Sequence, residues 1–228
     1  MEGLGESVWF DFSHHKVKEF VKRHRSGKTK REQALSLYYA VRDEILYNPY
    51  EINLNLDKAK ASYVISKGNG HCVDKSMLYV ACLRSIGIPS KIGLAKVVNH
   101  IGAERMELIL KSNVLAPHGY VEAFLEGRWV KATPVFNEML CRMLNVKPLD
   151  FNGREDSIFQ EYDRQGANFM EYIEDYGSFD KFPSEFIVSV MEGLYPHLFF
   201  NEEGGRVFFK GELIQSYLDR NNLQLNAL

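Results

Sequence analysis

Much that would place this chain outside ordinary globular proteins is missing from it. No stretch is long and apolar enough to span a bilayer, and the N-terminus carries no charged-then-apolar leader. No long basic block exists. The densest run, residues 16–31, is broken by apolar residues at helical spacing, and the net charge is −2. Neither nucleic acid nor a membrane is therefore an expected partner. Cysteine is scarce: Cys72, Cys82 and Cys141 are an odd three with no CxxC spacing. That excludes a disulfide framework and a zinc ribbon, and it points to a reducing, cytoplasmic setting. Internal repeats and low-complexity tracts are absent as well. The 228 residues suffice for one substantial core.

What stands out instead is residues 67–89, KGNGHCVDKSMLYVACLRSIGIP. Gly68 and Gly70 predict a sharp turn that opens directly into a helix from Cys72. Val73, Met77, Leu78, Val80, Ala81, Leu83 and Ile86 cover nearly every face of that helix, which marks it as interior. Gly87 and Pro89 end it. A cysteine in a first helical turn meets unpaired N–H groups and the positive end of the helix dipole. Both favour thiolate, and the same N–H groups can hold an oxyanion. Position alone favours the plainer reading of Cys72 as a small buried hydrophobe, like most free cysteines. Cys82, mid-helix, and Cys141 read as core packing.

Around this stretch the pattern gives an aromatic arm or edge strand at 8–12 and a helix capped by Ser13 and running to His24. Further helices are expected at 32–46 and 57–66. After Pro89 the period shifts. A strand is expected at 90–98, and residues 118–125 and 128–134 read as a hairpin turning at Glu126–Gly127. Residues 106–111 are too short to assign. Residues 149–183 read as irregular, with one short element near 169–176. A helix at 184–194 capped by Ser184, a strand at 206–210 and a helix at 211–225 complete the expectation. The chain divides into 1–148 and a C-terminal extension, 149–228.

A thiol nucleophile needs a proton acceptor, usually histidine. Of seven histidines, His14, His15 and His24 sit at helix ends, and His71 is sequence-adjacent to Cys72, where it can tune the local charge. His100 and His197 read as loop residues. The hairpin favours His118. With that turn, Leu125 faces Arg128, Tyr120 faces Thr133 and His118 faces Val135, so Thr133 is the diagonal neighbour of His118 on one face. A metal site from Cys72, His71, His100 and His118 lacks compact ligand spacing. No metal and no cofactor is implied.

GNGHCVDKSMLYVACLRSIGIPSKI followed by HGYVEAFLEGRWVKATPVFN resembles the transglutaminase-like superfamily of papain-related cysteine enzymes. The resemblance covers about residues 35–137. The tail, with LDFNGREDS, DRQG and FMEYIEDYGSF, is similar to the extension of a bacterial subgroup. The resemblance implies an α+β fold, with helices packed on an antiparallel sheet in a papain-like, transglutaminase-like core. It makes Cys72 the nucleophile and His118 the base. It implies acyl transfer on a peptide or carboxamide substrate, with hydrolysis by a protease or amidase expected ahead of cross-linking.

One position departs from the family. Its Asp, just before the Pro of the Trp-containing strand, is Thr133 here, and a hydroxyl lacks the charge that stabilises an imidazolium. Thr133 can orient His118 itself, Asn137 or an acid such as Asp150 or Asp156 can take the role, or the domain has kept binding without chemistry. Tyr120 and Asn137 are further expected to face substrate. Asn69 is read as a helix cap or an oxyanion donor, and His71 as a residue beside the substrate. Trp129 reads as packing.

Overall fold

The computed structural model describes residues 2–50, 59–101 and 104–198, together with the backbone at 201–202 and 205–206. Helices α1 (His15–His24) and α2 (Lys30–Glu44) come first. Thr29 starts α2 with a capping box: its hydroxyl accepts from Glu32 N, and the Glu32 carboxylate accepts from Thr29 N. Strand β1 (Leu46–Tyr47) follows, then α3 (Ala61–Lys67), which ends on Gly68 at φ 71°. Strand β2 (Asn69–Gly70) pairs in parallel with β1 and leads into α4 (Cys72–Ser85). Gly70 needs no positive φ. It is required because a Cβ there would lie 2.8 Å from the Asp74 Cβ.

Every residue of α4 from Cys72 to Arg84 is buried, as apolar residues on nearly every face after its first turn demand. Two cations on this helix are buried too. Lys75 donates from Nζ to the carbonyls of Arg42 and Ile45, closing the C-terminal end of α2. Arg84 donates to the carbonyls of Gly5, Ser90 and Asp180, which ties the N-terminal arm and the extension to the far end of α4. Saturating each cation with carbonyl oxygens offsets the cost of its desolvation.

Strand β3 (Ser90–Asn99), helix α5 (Glu104–Leu110), strand β4 (Val114–Leu125), strand β5 (Arg128–Ala132), helix α6 (Glu138–Met143), strand β6 (Met170–Phe179) and helix α7 (Ser184–Leu194) follow. A 3-10 turn at Pro196–Leu198 and the short pair β7 (Asn201–Glu202) and β8 (Gly205–Arg206) close the described chain. The main sheet is antiparallel in the order β5-β4-β3-β6. Helix α4 packs chiefly on β4. This is the α+β arrangement expected, and the hairpin has the expected register from Leu125 opposite Arg128 to Val121 opposite Ala132. The ladder ends there, two residues short of the expected strand end, so the expected pairs Tyr120–Thr133 and His118–Val135 are not part of it.

Several local expectations change. Residues 8–12 form no strand; Phe10 is buried in the core, and the Trp9 carbonyl accepts from Ala61 N. The cap of α1 is His14, because Ser13 is held by the Glu6 carboxylate. Residues 106–110 belong to α5. The element near 169–176 is a ten-residue strand, β6, that extends the main sheet beside β3. Pro183, not Ser184, occupies the cap of α7. The helix expected at 211–225 lies outside the described residues, as does the strand at 206–210 apart from Arg206 in β8. No helix among the described residues is long and apolar enough to cross a membrane.

Candidate active site

The turn from β2 into α4 sets Cys72 at the first helical position, with only 7% of its surface exposed. Pro117 O lies 3.9 Å from its sulfur, and the backbone N–H groups of Gly119, Val73 and Cys72 act on it to lower its pKa. His118 therefore sits between two residues whose backbone groups act on the thiol. The close approach depends on Gly119: a Cβ there would lie 2.8 Å from the Val73 Cα and 3.0 Å from the Cys72 carbonyl. Strand β4 reaches the helix start because it presents glycine at that point.

Burial dominates the electrostatics. It pushes the Cys72 thiol up to about 11, against the pull of the Gly119, Val73 and Cys72 N–H groups. The Asp74 carboxylate adds to the rise. Burial also pushes His118 down to about 4, with His71 acting in the same direction. The thiolate expected from the helix start is thus not the resting state. Desolvation of the sulfur outweighs the dipole and its N–H groups. At neutral pH the free site holds a neutral thiol and a neutral imidazole.

His118 is 3% exposed and Thr133 is 4% exposed. Both line a narrow crevice with Gln160, and neither His118 Nε2 nor Thr133 Oγ1 has a hydrogen-bond partner. The backbone carbonyl of Thr133 is held by the Tyr38 hydroxyl. The other residues considered for orienting the imidazole are engaged elsewhere. The Asn137 side-chain oxygen accepts from Tyr47 N, Asp150 lies 3.6 Å from Arg42, and Asp156 accepts from Lys131 N.

His71 is the cap of α4, displacing Asn69 from that role. Its Nδ1 lies 2.7 Å from the Asp74 carboxylate and 3.4 Å from Asp74 N. The carboxylate also accepts from His71 N. Asn69 donates to Lys67 O and accepts from the Asn48 amide. Tyr120 stands apart from the thiol. Its ring covers Gly93 and its hydroxyl donates to Asp175, which also pairs with Lys131. Trp129 is 39% exposed, beside Phe124 and Lys91, so it is a surface residue of the hairpin.

Cys72, His71, His118 and Asn137 line one cavity of about 180 Å³. Much of its wall comes from residues that the sequence reading did not select: Tyr47 beside β2, Met139 and Met143 on α6, Ile187 and Met191 on α7, and Tyr195. Asp74 and Gly119 were also missed, though GHCVD carries a His-x-x-Asp spacing and HGY a glycine next to the candidate base. Among the described residues no three His, Cys, Asp or Glu side chains cluster as a metal site.

The family model described as "Transglutaminase-like superfamily" matches residues 18–134, about half of the chain. No curated protein matches the sequence. Among solved structures, one described as a "putative cysteine protease" from Cytophaga hutchinsonii aligns at a TM-score of 0.44 and 15% identity. The alignment covers 78% of this chain and 55% of that one, so this chain spans little more than half of its length.

Proposed function

Because the chain belongs to the transglutaminase-like superfamily, we propose that it is a thiol acyl-transfer enzyme in which Cys72 attacks and His118 moves the proton. The observation that carries this reading is a cysteine at the first position of α4, where the backbone N–H groups of Gly119, Val73 and Cys72 act on its sulfur, in a cavity that His118 also lines. Those donors suit a tetrahedral oxyanion formed next to that sulfur.

The reaction starts from neutral partners. As the sulfur bonds to the carbonyl carbon, the thiol proton passes to the His118 imidazole. The imidazolium then protonates the leaving amine as the C–N bond breaks, leaving a thioester on Cys72. Water, deprotonated by the now neutral His118, resolves the thioester to a carboxylic acid and restores the thiol. Hydrolysis of a peptide or carboxamide is the preferred outcome, with transfer to an amine as the variant. Thr133 sits where a carboxylate would stabilise the imidazolium, so the ion pair forms only during the reaction.

A second reading, a binding domain on the same scaffold, draws on the unpartnered His118 Nε2 and the uncharged Thr133. Incubation with p-nitrophenyl acetate, followed by intact and peptide mass spectrometry, separates the two. The enzymatic reading expects an acetyl adduct on Cys72, none on Cys82 or Cys141, and loss of at least about 100-fold in rate in His118→Ala. Absence of any Cys72 adduct overturns it in favour of binding.

A further inference from the structure

We propose that the cavity beside Cys72 is a side-chain pocket for an uncharged apolar group: the acyl half of the substrate carries an aromatic ring or a branched aliphatic chain next to the carbonyl that is attacked. This rests on the acyl-transfer reading above and adds the substrate class to it.

Three observations carry the proposal. The first is composition. The described lining residues include no Asp, Glu, Lys or Arg, and four of them are methionines, Met106, Met139, Met143 and Met191. Several polar groups on the wall are already engaged: the Tyr195 hydroxyl accepts from Ala116 N and donates to Val114 O, the Asn137 side-chain oxygen accepts from Tyr47 N, and His71 is bonded to Asp74. Among the described residues, a charged substituent would lose its hydration there without meeting an opposite charge. An apolar one gains by burial, and methionine walls adapt to its shape.

The second is size and shape. The cavity of about 180 Å³ compares with an engineered apolar cavity of roughly 150 Å³ that takes benzene. One ring or one leucine-like chain fits that scale. Ile187, Met191 and Tyr195 are buried, whereas Leu46, Met139 and Met143 are exposed at 47%, 57% and 52%. The pocket thus has an interior wall and an open rim.

The third is origin. The match to the family ends at residue 134, yet α6, α7 and Tyr195, all beyond it, build one wall of the pocket. The thiol comes from the shared core, and selectivity comes from what this chain adds after it.

A panel of p-nitrophenyl esters tests this on the intact protein, with acetyl, 4-methylpentanoyl, phenylacetyl, decanoyl and succinyl groups as acyl donors. In each reaction the sulfur–carbonyl bond forms, the bond between the acyl carbon and the phenolic oxygen breaks, and the thiol proton is lost as p-nitrophenolate departs. The 4-methylpentanoyl and phenylacetyl esters should acylate Cys72 at least about tenfold faster than acetyl. The decanoyl ester should be slower than those two, and succinyl slowest. Met143→Asp, on the exposed rim, should bring the 4-methylpentanoyl and phenylacetyl rates down to the acetyl rate or below it. Equal rates for all acyl groups, or rates still rising at decanoyl, overturn the pocket and leave the thiol chemistry intact. If no ester labels Cys72, binding of phenylacetamide against succinamate, followed by thermal shift, decides the pocket separately from the chemistry. Phenylacetamide stabilising wild type but not Met143→Asp supports it, and no difference between the two ligands overturns it.

Discussion

Gly119 brings strand β4 against Val73 at the start of α4 because it has no side chain to hold the two apart, and its backbone N–H is among the groups that lower the Cys72 pKa. One residue thereby fixes the distance between the helix carrying the thiol and the strand carrying the imidazole. Gly119→Ala places a methyl group 2.8 Å from the Val73 Cα. Strand and helix must separate, at a cost of about 1–3 kcal/mol for overpacking. The expected result is a lower urea midpoint with an unchanged slope, and Cys72 acylation reduced at least tenfold. Unaltered acylation would mean that the N–H contact is incidental.

His118 should make the fold acid-sensitive. Its native value is lowered, first by burial and then by His71, to about 4 from the ordinary 6.5. Between those values the unfolded chain binds the proton and the native chain does not, so stability falls as pH drops from about 6.5 to about 4. The loss approaches about 3 kcal/mol below pH 4. His24 is lowered as well, mainly by burial, and adds in the same direction. Urea unfolding at pH 7 and pH 4.5 should show the difference between wild type and His118→Gln narrowing or reversing at the lower pH. Parallel losses in both proteins would count against a buried neutral His118.

Helix capping by His71 can be separated from any effect on the site. Asparagine is a good N-cap and alanine is a poor one, the difference being about 1 kcal/mol. His71→Asn should keep the thermal midpoint of wild type, whereas His71→Ala should lower it by a few degrees. Equal losses in both would show that the Asp74 contact, not the cap, provides the stabilisation.

Thr133→Asp supplies the charge that this site lacks. A carboxylate beside His118 stabilises the imidazolium and raises the imidazole pKa. The acid limb of Cys72 acylation should move up from about 4 by at least one pH unit. An unmoved limb would place position 133 out of reach of the ring.

How much of this could be read from the chain follows from how far each signal reaches. Helix α4 is announced by apolar residues on nearly every face after its first turn, between two glycine-bounded turns. The β4–β5 register follows from the Glu126–Gly127 turn, so His118 and Thr133 could be paired on paper. Strand β6 stays hidden because it is an edge strand: Glu171, Glu174 and Asp175 interrupt the apolar alternation that marks a strand. Residue type favours Asn69 as a cap, but the helix begins two residues later and His71 holds the position. The ionisation of Cys72 was misread for a deeper reason. Helix position is local and visible in sequence, whereas desolvation depends on everything packed around the sulfur. The pocket wall from α6 and α7 is likewise a tertiary property with no local signature.

The central claim is that His118 takes the Cys72 proton during attack, and the pH profile of acetyl transfer to Cys72 tests it most directly. Between about 4 and about 11 both partners are neutral, so wild type should react at a nearly constant rate from pH 5 to pH 9. His118→Ala can react only through free thiolate and should speed up about tenfold per pH unit over the same range. If wild type shows that same tenfold rise, the imidazole takes no part and the proposed dyad is wrong.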